Sequence, residues 1–434
     1  MKPKIAIIGA GWAGLAAAAQ LSTQALVTVF EASKQAGGRA RGLKNSNSDF
    51  VHIDNGQHLL LGAYEQVAHL RQMCGVAEMS DTERLPSQWH MLDGLDFKTR
   101  YLPAPLHALL GMLMAKGWSF ADKRRWLQDA YALKRAQKWL PTHDVSVMAW
   151  LTGRHVPAKH IAEFWKPLVL ATMNTPLEVA SLNTLAVVLD EGLLNKRSAS
   201  DFCLATCDLH SWLVEPVCLY LQQQGVNIRY QNRIVGLEKA ADGRHWMVGG
   251  ESFDRVVIAT APYHVVDVLG EQYATSVKTY FASLSYSAIT TVYLRYGVPL
   301  PLPHVIQGTA YGSSQWLINR EKLHIAKQEL AAVISVSETH AHKSSEAWVN
   351  AVHQDLLALQ ADLPEPTHSL VITEKRATVQ ASVNRGLPPM AALNKQGLYL
   401  AGDYCHPRYP ATLEGAVQSG FATASMCVAD WKNA

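Results

Sequence analysis

A glycine-rich turn set between an apolar strand and an alanine-rich helix restricts the fold of this chain more than any other feature. Residues 4–8 read Lys-Ile-Ala-Ile-Ile, with the apolar density of a short buried strand. Gly9-Ala10-Gly11-Trp12-Ala13-Gly14 follows at once, then Leu15 to Leu21 as a helix, Leu26 to Phe30 as a second strand, and Glu31. Each part has a physical task in holding a dinucleotide. Gly9 allows the tight turn, Gly11 lets the backbone approach a pyrophosphate, and Gly14 lets the helix pack closely on the strand. The helix N-terminus offers unpaired N–H groups to the phosphates. Glu31, twenty residues after Gly11, is placed to accept ribose hydroxyls. Gly-x-Gly-x-x-Gly also recurs for steric reasons alone, so the weight lies in strand, glycines, helix, strand and acid standing in register. An acid at the ribose position disfavours a 2′-phosphate and leaves FAD or NAD.

At 434 residues the chain is too long for one ordinary core, which predicts two or three lobes. Lys and Arg (39) barely exceed Asp and Glu (36), so the net charge of +3 gives no reason to propose a nucleic acid partner. The six cysteines are scattered without a Cys-x-x-Cys pair, which suits reduced thiols in a cytoplasmic protein and indicates no metal site. Lys2 and Lys4 ahead of the apolar run Ile5 to Leu21 imitate a signal peptide, but the strand–turn–helix reading accounts for that run residue by residue. No apolar stretch reaches the roughly eighteen residues that span a bilayer.

Gly37-Gly38-Arg39 follows Glu31 after five residues. This spacing resembles the Glu-x(5)-Gly-Gly-Arg of flavoproteins of the amine oxidase and phytoene desaturase superfamily. There the Arg, here Arg39, reaches back to the cofactor's phosphates or ribityl chain. The resemblance extends through Arg233 to Glu238, a segment read as the strand whose backbone meets the adenine at Ile234. It continues in Arg255 to Pro262, and in Gly397 to Gly402-Asp403 followed by Tyr409-Pro-Ala-Thr412-Leu413-Glu-Gly. It implies that Asp403 bonds the ribityl chain, and that the helix starting near Thr412 and Leu413 faces the flavin's pyrimidine edge. There the helix dipole favours the charge of reduced flavin. The expected fold is therefore α/β. A discontinuous Rossmann-type FAD domain (1–84, 205–262 and 380–434) carries an inserted α+β substrate lobe (85–204 and 263–379). A second Gly-x-Gly-x-x-Gly for a nicotinamide is absent.

The block Asp54-Asn-Gly56-Gln57-His58-Leu-Leu-Leu-Gly62-Ala-Tyr64 is similar to one that passes close to the flavin ring in plant-type phytoene desaturases. It implies Gly56, Gln57 and His58 as cofactor contacts, with noncovalent FAD despite Cys405 beside the last motif. Within the superfamily the whole chain is most similar to the hydroxysqualene dehydroxylase family of bacterial hopanoid biosynthesis. Asn174-Thr-Pro, Ala199-Ser-Asp201 and Ile289-Thr-Thr-Val-Tyr293 share in that similarity. Ala205-Thr206 departs from the Pro-Arg pair expected after the Ser-Asp block, which bears on the substrate and leaves FAD untouched. Two features speak against an amine oxidase. The strand Ala288 to Leu294 carries Thr290 and Thr291 where a Lys is usual, and Thr412 replaces an aromatic that would meet an amine by cation–π contact.

The resemblance implies an isoprenoid substrate, a separate and unidentified electron donor, and reductive dehydroxylation. An acid assists departure of the hydroxyl, and hydride from reduced flavin gives squalene. His58 is the candidate acid; the alternative is that it only bonds the cofactor or packs. Asp54 is read as accepting N–H bonds within its own turn. A phytoene-type desaturase and a flavin-binding protein without turnover remain open. Ser119 to Asp122 forms a capping box that predicts a helix to about Leu140. The run Tyr101 to Ala115 has no formal charge and basic flanks, Lys98, Arg100, Lys116, Lys123, Arg124 and Arg125. It fits either a helix lying in the inner face of the cytoplasmic membrane, with Leu109, Leu110, Met112 and Leu113 inserted, or a core helix.

Overall fold

In the computed structural model, residues 2–43, 49–341 and 344–432 are described. Among them, a parallel sheet runs in the order Leu398–Leu400, Arg255–Ile258, Lys4–Ile8, Leu26–Phe30, Asn227–Arg229. Its strands come from widely separated stretches of sequence, because parallel neighbours need long crossovers and the chain spends those crossovers on the other lobe. The helix Trp12–Leu21 packs on this sheet and against the final helix Leu413–Lys432. Gly14 and Gly420 allow this contact. A Cβ on Gly14 would lie 2.0 Å from the Gly9 carbonyl, and one on Gly420 2.3 Å from that of Ala13.

Antiparallel strands make up the second lobe, in the order Ile306–Gly308, Trp316–Asn319, Glu329–Ser335, Tyr286–Arg295, His368–Val379. Helices between Leu106 and Leu189 cover one side and share its core, where Trp89, Phe164 and Trp316 meet edge-on or tilted at 4.9–5.3 Å. Ser119 caps the helix Phe120–Ala136 through the expected box with Asp122, although that helix stops short of Leu140.

Some expectations need correction. The adenine-side segment is not a strand at Ile234: the sheet strand is Asn227–Arg229, and Asn232 to Leu237 is an irregular connection. Asp54 does not bond within its own turn. Its carboxylate accepts the Leu209 N–H at 2.8 Å, tying the block to a segment 155 residues away. The run Tyr101 to Ala115 is helical only over Leu106–Leu113, and Met112 is fully buried, so it cannot be an inserting residue.

Candidate functional site

The Gly-rich turn is held from both sides. Glu31 accepts the Ala10 N–H at 2.8 Å with one oxygen, and the Ser33 N–H and hydroxyl at 2.8 and 2.7 Å with the other. Its first structural duty is thus to brace the turn, and the oxygen that accepts only the Ala10 N–H keeps a further lone pair. Gly9 (φ +107°) sits where a Cβ would strike the Ala259 carbonyl at 2.6 Å. Gly11 differs. A Cβ there would meet only the Gly38 Cα, at 3.9 Å, because this residue faces open space.

That space is one cavity of about 880 Å³. Gly9, Gly11, Glu31, Gly38, Arg39, Ile234, Thr260 and Asp403 line it. Gly56, Gln57, His58, Gly402, Thr412 and Leu413 follow along the same wall, so the cavity brings together every cofactor residue expected from sequence except Gly14, whose task is packing. Arg39 and Asp403, 364 residues apart, are ion-paired, and Arg39 also donates to the Ala377 carbonyl at 3.2 Å. Thr412 uses its hydroxyl to accept the Gly415 N–H at 2.9 Å, capping the last helix. Ala411, just before it, has φ +63°, a strained conformation for a residue with a side chain, held within the cavity wall.

Several polar atoms in this wall lack partners. Arg41 Nε, His58 Nδ1 and Thr260 Oγ1 are buried without a hydrogen bond, a cost a protein bears where a ligand completes the set. Open space at Gly11, orphaned donors and a paired Arg and Asp suit a dinucleotide whose phosphates and hydroxyls need both kinds of partner. Burial lowers the His58 imidazole to about 4, against support from the Gly56 backbone, so it is neutral at physiological pH.

Sequence reasoning missed several residues that position these. The buried Glu414 accepts the Gln66 and Val67 N–H groups at 2.9 and 3.0 Å, fastening the His58 block to the last helix. Thr291, in the strand Tyr286–Arg295, accepts the Gln57 N–H at 3.3 Å. The buried Arg320 donates to the Val51 and His52 carbonyls and pairs with the buried Glu329 at 2.6 Å. These links join distant segments, so no local pattern announces them. The Leu413-Glu-Gly motif and Thr291 in the Ile289 to Tyr293 block were the visible signals.

Beyond the Gly56–His58 block the cavity turns apolar. Trp89, Phe97, Phe164, Leu168, Leu189, Phe202 and Trp316 line it. π-helical turns at Ile161–Trp165 and Asp190–Leu194 form parts of this wall, the second presenting Glu191, Gly192 and Leu193.

The sequence model of flavin-containing amine oxidoreductases matches residues 12–427, nearly the whole chain. The chain belongs to that family. Its members are flavin-containing oxidoreductases, and the chain is an enzyme of that kind. It is 25% identical to a hydroxysqualene dehydroxylase of Sinorhizobium fredii over 434 residues, covering 99% of each chain. Against a hydroxysqualene dehydroxylase of Zymomonas mobilis it is 29% identical over 441 residues, covering 97% of this chain and 98% of the relative. The structure of putrescine oxidase bound to putrescine superposes with a TM-score of 0.71, covering 99% of each chain, at 14% identity. At that identity the likeness is one of fold.

Proposed function

We propose that the protein holds FAD noncovalently and reductively dehydroxylates hydroxysqualene to squalene. The observation that carries this reading is the continuity of the cavity, from a polar dinucleotide cradle into a chamber walled by aromatic and aliphatic side chains. A long hydrocarbon finds apolar contact there, worth roughly 25 cal/mol for each Å² removed from water. The similarity to hydroxysqualene dehydroxylases supports the choice of substrate. An amine would find Thr412, already spent on a helix cap, in place of an aromatic partner.

FAD in its reduced form supplies hydride when bound. The chain's residues do the rest. Gly11 and the helix start at Trp12 would hold the pyrophosphate, and Glu31 and the Asp403–Arg39 pair would hold hydroxyls and phosphate. The Gly56–His58 block, braced by Glu414 and Thr291, would contact the isoalloxazine. The aromatic wall excludes water, so that a developing allylic cation is not quenched by solvent.

The substrate is nearly insoluble, and the surface offers a route from a bilayer. Among the described residues no helix is long and apolar enough to cross a membrane. The helix Leu106–Leu113 instead buries His107, Ala108, Gly111 and Met112 and exposes Leu106, Leu110 and Leu113. Tyr101 (78% exposed), Met114 and Phe120 (75%) extend this apolar face, and Lys116 and Arg124 rim it. The buried side of this helix, through the ring of His107, faces the Leu193 backbone and Arg197, so the helix packs on the cavity wall with its apolar face turned outward. We assign it to peripheral contact with an anionic membrane.

The deciding assay is anaerobic. Chemically reduced protein in lipid vesicles should convert hydroxysqualene to squalene, one equivalent per flavin. Inertness toward hydroxysqualene, with desaturation of phytoene by the oxidised form, would refute the assignment.

A further inference from the structure

We propose that Glu191 is the catalytic acid, the carboxyl that gives its proton to the substrate hydroxyl as the carbon–oxygen bond breaks. The inference rests on the dehydroxylase reading and supplies the residue which that reading lacks. Hydroxide is a poor leaving group, so an allylic alcohol in an apolar chamber needs a positioned proton donor.

The other acidic groups of the wall have partners, as Glu191 has in Arg408, but theirs brace the Gly-rich turn, the last helix and the Tyr263–Asp267 segment. Glu31 holds the Gly-rich turn, Asp403 pairs with Arg39, and Glu414 accepts two backbone N–H groups and the Gln418 amide. Asp267 and Glu374 stand with His264 and Tyr263 on the dinucleotide side. A neutral His58 is a weak acid.

Glu191 lines the cavity together with its chain neighbours Val188, Leu189, Gly192 and Leu193, and its side chain is 30% exposed. It lies in the π-helical turn Asp190–Leu194, a local widening of the kind often found at functional sites. Its carboxylate meets Arg408 at 2.6 Å, and Arg408 is 55% exposed. The next residue, Tyr409, lines the same cavity and feels the charge of Glu191. His406 fixes that turn. Its Nδ1 accepts the Arg408 and Tyr409 N–H groups at 3.3 and 3.2 Å, while its Nε2 donates to Gln418 at 2.9 Å. Glu191 therefore joins the hydrocarbon chamber to the loop leading into Thr412 and Leu413.

Burial and the neighbouring Asp190 favour the acid form of Glu191, Arg408 favours the carboxylate, and the balance leaves the group above the ordinary range for Glu. The proton passes to the hydroxyl oxygen, and the C–O bonding pair leaves with water. The allylic carbon is reduced by hydride from a two-electron-reduced flavin. The carboxylate formed is held by Arg408 and regains its proton from solvent on that partly open side.

The test compares Glu191→Gln and Glu191→Asp with wild type as full-length, flavin-loaded protein. Hydroxysqualene binding to oxidised enzyme is followed by tryptophan fluorescence. Single turnover is then measured against pH. Glu191→Gln should keep its flavin and bind hydroxysqualene within about threefold, yet react at least about 100-fold more slowly. It should also lose the alkaline limb of the rate profile, and Glu191→Asp should restore the limb. A wild-type rate or a surviving limb in Glu191→Gln would overturn the assignment. If that variant does not fold, Arg408→Gln decides: loss of the cation should move the limb to higher pH, and an unmoved limb refutes the role. Wild type that fails to reduce hydroxysqualene sinks the dehydroxylase reading itself. Turnover by wild type with an unaffected Gln variant sinks only Glu191.

Discussion

Gly11→Ala separates the space a cofactor needs from the space the fold needs. Gly11 has φ −73° and ψ 176°, a backbone conformation alanine adopts freely, and its added methyl would meet nothing nearer than the Gly38 Cα at 3.9 Å. The apoprotein should lose no stability and could gain about 0.4–1 kcal/mol through a less flexible unfolded chain. The methyl would, however, occupy the space assigned to the pyrophosphate. Suppose FAD is present at 1,000 times its Kd, where binding contributes about 4.1 kcal/mol. A roughly 100-fold loss of affinity would remove about 2.7 kcal/mol of that. For 434 residues, at about 2.1 cal/mol/K each, the unfolding entropy is about 0.9 kcal/mol/K. The holoprotein Tm should then fall by about 3 °C while the apoprotein Tm holds or rises. Scanning calorimetry with and without added FAD, together with flavin content after gel filtration, measures both. Full flavin retention with an unchanged holoprotein Tm would show that no phosphate lies over Gly11. A fall in apoprotein Tm would show that the space is needed by the fold.

If Asp403 holds the ribityl chain as proposed, Asp403→Ala, which also removes the partner of Arg39, should weaken FAD roughly 5- to 150-fold (about 1–3 kcal/mol) in a flavin titration. The His58 imidazole is held near 4 when folded, below its unfolded value, so the unfolded chain binds the extra proton first. Wild type should lose stability as pH falls from about 6.5 toward 4, and His58→Gln should lose less over that window in urea unfolding. Changing the exposed Leu110 and Leu113 to Ser should cost about 1 kcal/mol each, since both are already partly covered, and release the protein from anionic vesicles without loss of flavin. If vesicle binding is unchanged, or flavin is lost, the membrane assignment of this face fails.

Much of the N-terminal strand–turn–helix–strand unit was legible because its signals are local. Turn, helix start and acid must follow one another within about thirty residues to make a βαβ unit, so Gly9, Gly11, Gly14 and Glu31 can be read in a line. The Gly-Gly-Arg and Gly-Asp motifs likewise carry their own spacing, though not that Arg39 and Asp403 would pair with each other across 364 residues. The tertiary structure decided what depends on segments meeting from afar. Asp54 turned from its own loop to Leu209, and Glu414 became the clasp on the His58 block. Met112 went into the core while Leu113 beside it stayed on the surface, a division that an unbroken apolar run cannot express. Glu191 gave no sign in the sequence, being one acid in a helical stretch. Its meaning came from a π-helical turn that places it against the cavity and from Arg408, more than two hundred residues later. Local conformational preference is written in neighbouring residues; the environment of a charge is set by whatever the fold packs against it.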